Sequence, residues 1–93
     1  MMLNDDRYPV RTQDVAFRTY GSDAVLISPQ EGVVRLLNVT ATRIWHFADG
    51  TRSVNEIAQM LTEEFDVDFH QAQQAVVHLL DQLAEKQLIK WLA

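Results

Sequence analysis

The sequence contains no cysteine, only three glycines and two prolines, and fewer basic than acidic residues. Without cysteine, disulfides, thiolate metal sites and cysteine nucleophiles are excluded. Eight Lys and Arg residues against 13 Asp and Glu give a formal net charge of −5, which argues against non-specific binding to nucleic acid or to an anionic membrane. No apolar run approaches the roughly 20 residues of a membrane span, and the first ten residues lack the apolar core of a signal peptide. We therefore expect a cytoplasmic protein with no membrane partner.

What the chain does contain is enough for one small core. It has 93 residues, 47% of them hydrophobic, which suits one domain of modest stability. Residues 1–13 include Pro9 and show no periodicity, and they are predicted to form a flexible N-terminal arm. Residues 14–93 are predicted to form the folded domain.

Three short β-strands are predicted first. Residues 15–20 alternate in the manner of a strand, residues 24–28 are rich in β-branched side chains, and residues 33–37 form a third apolar run. The segments Gly21–Asp23 and Pro29–Gly32 are turn-forming. Three strands joined by tight turns predict an antiparallel meander.

Three helices should follow the strands. Asn38 or Thr40 can cap a first helix over residues 39–48, which Asp49-Gly50 ends. Ser53 and Glu56 form a capping box for a second helix over residues 54–65. Asp68 caps a third helix that extends to about residue 86, and residues 88–92 are predicted to return as a short strand or to pack under the sheet. The predicted fold class is α+β and winged-helix-like, with a three-stranded sheet, three helices and a C-terminal strand.

A winged helix often binds DNA, but the charges here oppose it. A recognition helix needs Lys or Arg to neutralise phosphates and to contact guanine edges. No Lys or Arg occurs between Ser53 and Glu85, whereas this span holds seven acidic residues. A DNA-binding regulator therefore stays only an alternative interpretation, as does a general protein–protein adaptor.

Metal binding and catalysis lack the necessary residue patterns. His46, His70 and His78 are scattered over two predicted helices, and we expect solvent-facing imidazoles. His70 and His78 are eight residues apart, unlike the four-residue spacing of a helical zinc pair. The segment Asp66–Asp68 lacks the Gly and the later Glu of a calcium loop. No sequence context places a base beside Ser28 or Ser53. We expect no metal, no cofactor and no catalytic activity.

A series of ordered motifs nevertheless resembles a known family. The series comprises Leu37-Asn38, Ile44-Trp45, Asp49 to Ser53, Glu56-Ile57, Leu61 and Phe65 to Asp68. It is similar to the PqqD family over roughly residues 15 to 92. These are small chaperones for ribosomally made, enzymatically modified peptides. The resemblance implies that the leader of a precursor peptide pairs with the third predicted strand and lies in a groove against the third helix.

Carried onto this chain, the resemblance names the candidate peptide-binding residues. The exposed strand edge is Val33, Val34, Arg35, Leu36 and Leu37. Beside the apolar stripe of the third helix, one flank is predicted to be the groove wall: Gln73, Val77, Leu80 and Ala84. The alternative for Val77 and Leu80 is that they belong to the core. Arg35 can pair with an acidic leader side chain or be an ordinary solvent-facing residue.

The predicted function is therefore non-catalytic capture of a leader peptide by strand addition. The captured peptide is then presented to a separate modifying enzyme, such as a radical-SAM or ATP-dependent one, in pyrroloquinoline quinone biosynthesis or a related pathway. Trp45 is predicted to anchor the core. Trp91 either covers the core or lies at a self-association surface, so the sequence leaves open a monomer or a homodimer.

Overall fold

A computed structural model describes residues 5–28 and 32–92 of the chain. Its elements run in the order β1 (Tyr8–Arg11), β2 (Ala16–Tyr20), β3 (Asp23–Ser28), β4 (Val33–Leu37), α1 (Val39–Phe47), α2 (Val54–Glu64), α3 (Phe69–Glu85) and β5 (Ile89–Leu92). The predicted fold class is confirmed, with the predicted meander as β2–β4. Most element bounds lie within a residue of the predicted ones.

The strands form two separate antiparallel sheets. One has the order β2-β3-β4, and the other pairs β1 with β5. In the meander, Gly21 adopts a left-handed conformation with φ of 63° between β2 and β3, which a residue without Cβ adopts at no steric cost. The predicted turn over residues 29–32 lies outside the described residues except for Gly32.

The prediction of a flexible arm over residues 1–13 is wrong for β1. Tyr8 pairs with Leu92, and Arg11 pairs with Ile89. Pro9 cannot donate a backbone hydrogen bond, but its carbonyl accepts one from Gly50 at 2.9 Å. A strand at a sheet edge tolerates proline because the position without an N–H does not have to pair with a neighbouring strand. Residues 1–4 of the predicted arm lie outside the described residues.

The three helix starts form as the sequence predicts. The Asn38 side chain accepts from the amide of Ala41 at 2.9 Å, and Ser53 and Glu56 form the reciprocal capping box at 3.1 and 2.8 Å. Asp68 accepts from Gln71 at 2.8 Å. Each cap satisfies amides that have no partner within their own helix, which fixes where α1, α2 and α3 begin.

The core lies between the meander and the helices. Trp45 is fully buried and meets the Phe17 ring edge-on at 5.9 Å, which confirms it as a core anchor. From the C-terminal strand, Trp91 is half-buried against the core, with the Arg7 guanidinium 4.1 Å from its ring centroid. Trp45 lies in one hydrophobic core, and Trp91 packs against the same core. In the strand order β2-β3-β4, β4 is an edge strand.

Candidate functional site

The outer edge of β4 is the main feature of the candidate site. β4 pairs with β3 from Ser28–Val33 to Ala24–Leu37, and within residues 5–28 and 32–92 no strand pairs with its other side. An edge strand presents unpaired amides and carbonyls along that side. β4 can therefore accept an added strand.

Side chains of β4 alternate between two faces, as in any strand. Val34 and Leu36 lie on the outer face and are 69% and 77% exposed. Leu37 lies on the inner face and is buried in the core, so only its backbone is available to a peptide at the strand edge. Nothing is described of the Val33 side chain.

Arg35, also on the inner face, connects β4 to α3. Its Nη2 donates to Oε1 of Gln82 at 2.6 Å, and Nε2 of Gln82 lies 3.2 Å from Nε2 of His78. Because the Gln82 carbonyl is used by Arg35, its amide nitrogen is the group that donates to His78. We call these three residues, Arg35, His78 and Gln82, the β4–α3 junction.

The α3 flank predicted as a groove wall lies on the other side of the helix. Gln73 is buried and donates to Oδ1 of Asn55 in α2 at 2.7 Å. Gln73 and Gln82 are nine residues apart, and at 100° per residue they project from opposite sides of α3. Gln73 therefore faces α2, whereas Gln82, which is bonded to Arg35, faces β4.

The remaining members of the predicted flank differ in burial. Leu80 is fully buried, which favours the alternative of a core residue over a place in the groove wall. Val77 and Ala84 are half-buried against the core. Val77 also borders an open depression of about 650 Å³ along the outward surface of α3, whose other lining residues are His70, Gln71, Gln73, Gln74, Ala75, His78 and Asp81.

Sequence reasoning missed Gln82 and His78. Their four-residue spacing on one helix face permits contact between them, and this was the only sequence signal available. Whether that face meets β4 depends on the side of α3 on which the sheet lies. That placement is tertiary and has no local signature.

Most of the described arginines already have partners. Arg43 forms a bidentate pair with Glu64 at 2.8 and 2.9 Å, which lowers the pKa of the Glu64 carboxyl. Arg52 pairs with Asp49 at 3.1 Å, and Arg11 donates to the carbonyls of Trp45 and His46. These guanidinium groups already have hydrogen-bond or ion-pair partners within the protein. This adds to the charge argument against a DNA-binding surface.

The histidines differ from the predicted solvent-facing imidazoles at one position. His70 and His78 are exposed, but His46 is half-buried, with its ring 5.7 Å from that of Phe17. Burial first, and the nearby charges of Arg11 and Arg43 second, lower the pKa of His46. Within the described ranges, no group of three His, Cys, Asp or Glu residues is placed to hold a metal ion.

The lowered pKa of His46 predicts a pH dependence of stability. The folded state binds this proton less well than the unfolded state, so the stabilisation is fully present above the unfolded pKa of about 6.5 and is lost as pH falls from there through the lower folded pKa. We expect the drop in melting temperature between pH 7.5 and 5 to be smaller in H46Q than in the parent protein. H70Q, at an exposed position, is the matched control, and an equal drop in H46Q would contradict the assignment.

Comparison with known proteins assigns the chain to a family. The family model for coenzyme PQQ synthesis protein D (PqqD) matches residues 23–89. The chain belongs to the PqqD family. This segment of the PqqD-family chain includes β4, α3 and all three residues of the β4–α3 junction.

Within residues 5–28 and 32–92, no helix has the length and apolarity to cross a membrane.

Curated relatives agree with the family assignment. Two proteins named PqqA binding protein, from Xanthomonas euvesicatoria pv. vesicatoria (strain 85-10) and Xanthomonas axonopodis pv. citri (strain 306), are each 41% identical to this PqqD-family chain over 66 residues. The match covers 71% of this chain and 70% of each relative.

Two solved structures share the fold. One is TbiB1 in complex with the TbiA(beta) leader peptide, with a TM-score of 0.80, 24% identity and coverage of 90% of this chain and 98% of that one. The other is lasso peptide synthetase B1 complexed with the leader peptide, with a TM-score of 0.78, 23% identity and coverage of 89% and 98%. The PqqD-family chain therefore has the architecture of these two proteins.

Proposed function

We propose that this PqqD-family chain is a non-catalytic peptide chaperone that binds the leader of a ribosomally made precursor peptide. The leader adds as a strand to the outer edge of β4. The observation that carries the proposal is that edge, unpaired in the described chain and beside the exposed side chains of Val34 and Leu36. Relatives named for binding PqqA, and fold neighbours solved with leader peptides, support the same kind of ligand.

Strand addition supplies both affinity and selectivity. Backbone hydrogen bonds along β4 are available to any extended peptide, while side chains of the added strand contact both faces of the sheet. On the inner face the peptide meets the β4–α3 junction, and on the outer face it lies beside Val34 and Leu36. The peptide-binding residues proposed here are thus Val33 to Leu37 through their backbone, with Gln82 and His78 replacing the predicted α3 flank.

Catalysis belongs to a partner in this proposal. The Ser53 hydroxyl is used as a helix cap, and Ser28 is buried at the end of β3. The bound leader would hold the remainder of the precursor near a modifying enzyme, of the radical-SAM or ATP-dependent kind. Pyrroloquinoline quinone is one end product that the family name suggests.

An NMR titration tests this proposal. Protein labelled with ¹⁵N is mixed with the leader of a short precursor encoded beside the gene for this chain. We expect amide shifts concentrated in Val33–Leu37, with a shift of the Gln82 side-chain amide. The side-chain amide of Gln73, on the opposite side of α3, is an internal control that should stay nearly unchanged.

A scrambled leader of the same composition completes the experiment. No shifts at about 100 μM of the native leader, a concentration that would detect Kd values in the micromolar range, would count against leader binding. Shifts at Gln73 and α2 with none in β4 would show a peptide bound by another surface, and would overturn strand addition.

A further inference from the structure

Arg35 is a cation without a matching anion at the β4–α3 junction. Within the residues that the structure describes, ion pairs involve Arg7, Arg43 and Arg52. Arg35 instead donates to the neutral amide of Gln82, and its Nε is buried without a partner. The chain has 13 Asp and Glu residues, so the lack of a carboxylate here does not reflect a shortage of acids.

A half-buried guanidinium paired only with an amide keeps an unbalanced charge. Removing a charge from water is costly unless an opposite charge and hydrogen bonds replace the lost hydration. A carboxylate does this best, because guanidinium and carboxylate form short, charge-assisted bonds, commonly two in parallel. Nη1 is not among the buried atoms that lack partners, and within residues 5–28 and 32–92 the Arg35 side chain donates through Nη2 alone, so Nη1 is open to a ligand.

The register of β4 says where such a ligand would lie. Arg35 sits between Val34 and Leu36, whose side chains are on the outer face, and its own side chain lies on the α3 side. A residue directly opposite on an added strand has its Cβ about 4.5–5.5 Å away on the same face. An Asp or Glu at that position would therefore face Nη1 of Arg35.

We propose that Arg35 is a carboxylate-binding residue that selects leader peptides carrying Asp or Glu at the position paired with it. The inference rests on the proposed function, because it requires a strand added to β4. A Lys or Arg at the same peptide position would place like charges opposite each other, which is unfavourable. Arg35 thus fixes the register of the bound peptide as well as favouring an acidic one.

A double-mutant cycle by isothermal titration calorimetry tests the inference. The proteins are the parent, R35Q and R18Q. The peptides are the leader encoded beside the gene and its single Asp→Asn and Glu→Gln variants. We expect R35Q to lower affinity about tenfold, the size usual for a hydrogen bond to a charged group. One acidic variant should cause a similar loss with the parent and little further loss with R35Q.

R18Q is the matched control, because Arg18 is exposed on β2 and the substitution removes the same charge. It should change affinity by less than about twofold, the scale of a screened surface charge. R35K, which keeps the charge but not the planar fork, should recover only part of the loss. The melting temperature of R35Q should stay near that of the parent, since no ion pair within the described chain is removed.

The outcomes separate this inference from the proposed function. If the leader binds and shifts the β4 amides, but no acidic residue couples to Arg35, the carboxylate site is wrong and leader binding stands. The same holds if a leader without Asp or Glu binds equally well to the parent and to R35Q. If the parent binds no leader at all, the proposed function fails, and the carboxylate site fails with it.

Discussion

N-methylation of the leader peptide is expected to weaken binding at every second residue and to have little effect between them. In a strand added to β4, alternate backbone amides point toward β4 and the others point away. A methyl group on an inward amide removes a donor, leaves a carbonyl of β4 unpaired and introduces a steric clash. Loss of a hydrogen bond with an unsatisfied partner costs about 1–3 kcal/mol, so affinity should fall roughly 10- to 100-fold at each inward position.

The measurement is a scan in which each leader residue is N-methylated in turn and the Kd is determined by fluorescence anisotropy. Outward positions are the matched controls, because they carry the same modification on the same peptide. β4 has five residues, so we expect two or three sensitive positions within a short stretch. A uniform loss along the leader, or sensitivity without alternation, would mean that side chains alone hold the peptide.

Replacement of Leu80 by alanine is expected to destabilise the protein rather than to weaken peptide binding selectively. Leu80 is completely buried, and truncating such a side chain removes its packing and leaves a cavity. Leu→Ala substitutions in cores cost about 2–5 kcal/mol. A domain of this size has a total free energy of unfolding of about 5–14 kcal/mol, so L80A should lose a large share of its stability.

Urea denaturation of L80A and V77A makes the comparison. Val77 is half-buried on the same side of α3, and V77A should cost about 1 kcal/mol, near the centre of the distribution for point substitutions. If instead L80A kept the parent's unfolding midpoint and lost leader affinity, Leu80 would line the peptide groove after all. The assignment of this residue to the core would then be wrong.

Local features of the sequence predicted most of this fold. The capping residues Asn38, Ser53 and Asp68 each satisfy amides within three residues of themselves. Gly21 adopts the conformation that its turn requires. These interactions connect near neighbours, so their signals are readable without knowledge of the tertiary structure.

Features that depend on distant parts of the chain were not predictable. β1 has four residues including Pro9, and its pairing partner β5 comes from the other end of the described chain. Nothing local distinguishes such a segment from a loop. The choice between the two flanks of α3 has no local signal for the same reason, because Gln73 and Gln82 are both polar residues beside an apolar stripe. Only the positions of α2 and β4 tell them apart.

The pairing of β1 with β5 has a consequence for how this domain can be joined to others. Tyr8 lies opposite Leu92, so the first and last strands run side by side. Residues 5–7 continue from there to the start of α2, where the carbonyls of Arg7 and Asp5 accept from Val54 and Asn55. A protein whose ends are adjacent can be inserted into a surface loop of a larger protein without stretching either connection. In the described chain β1 and β5 pair with each other and form a sheet of their own. Neither terminal strand therefore occupies the backbone groups at the peptide-accepting edge of β4.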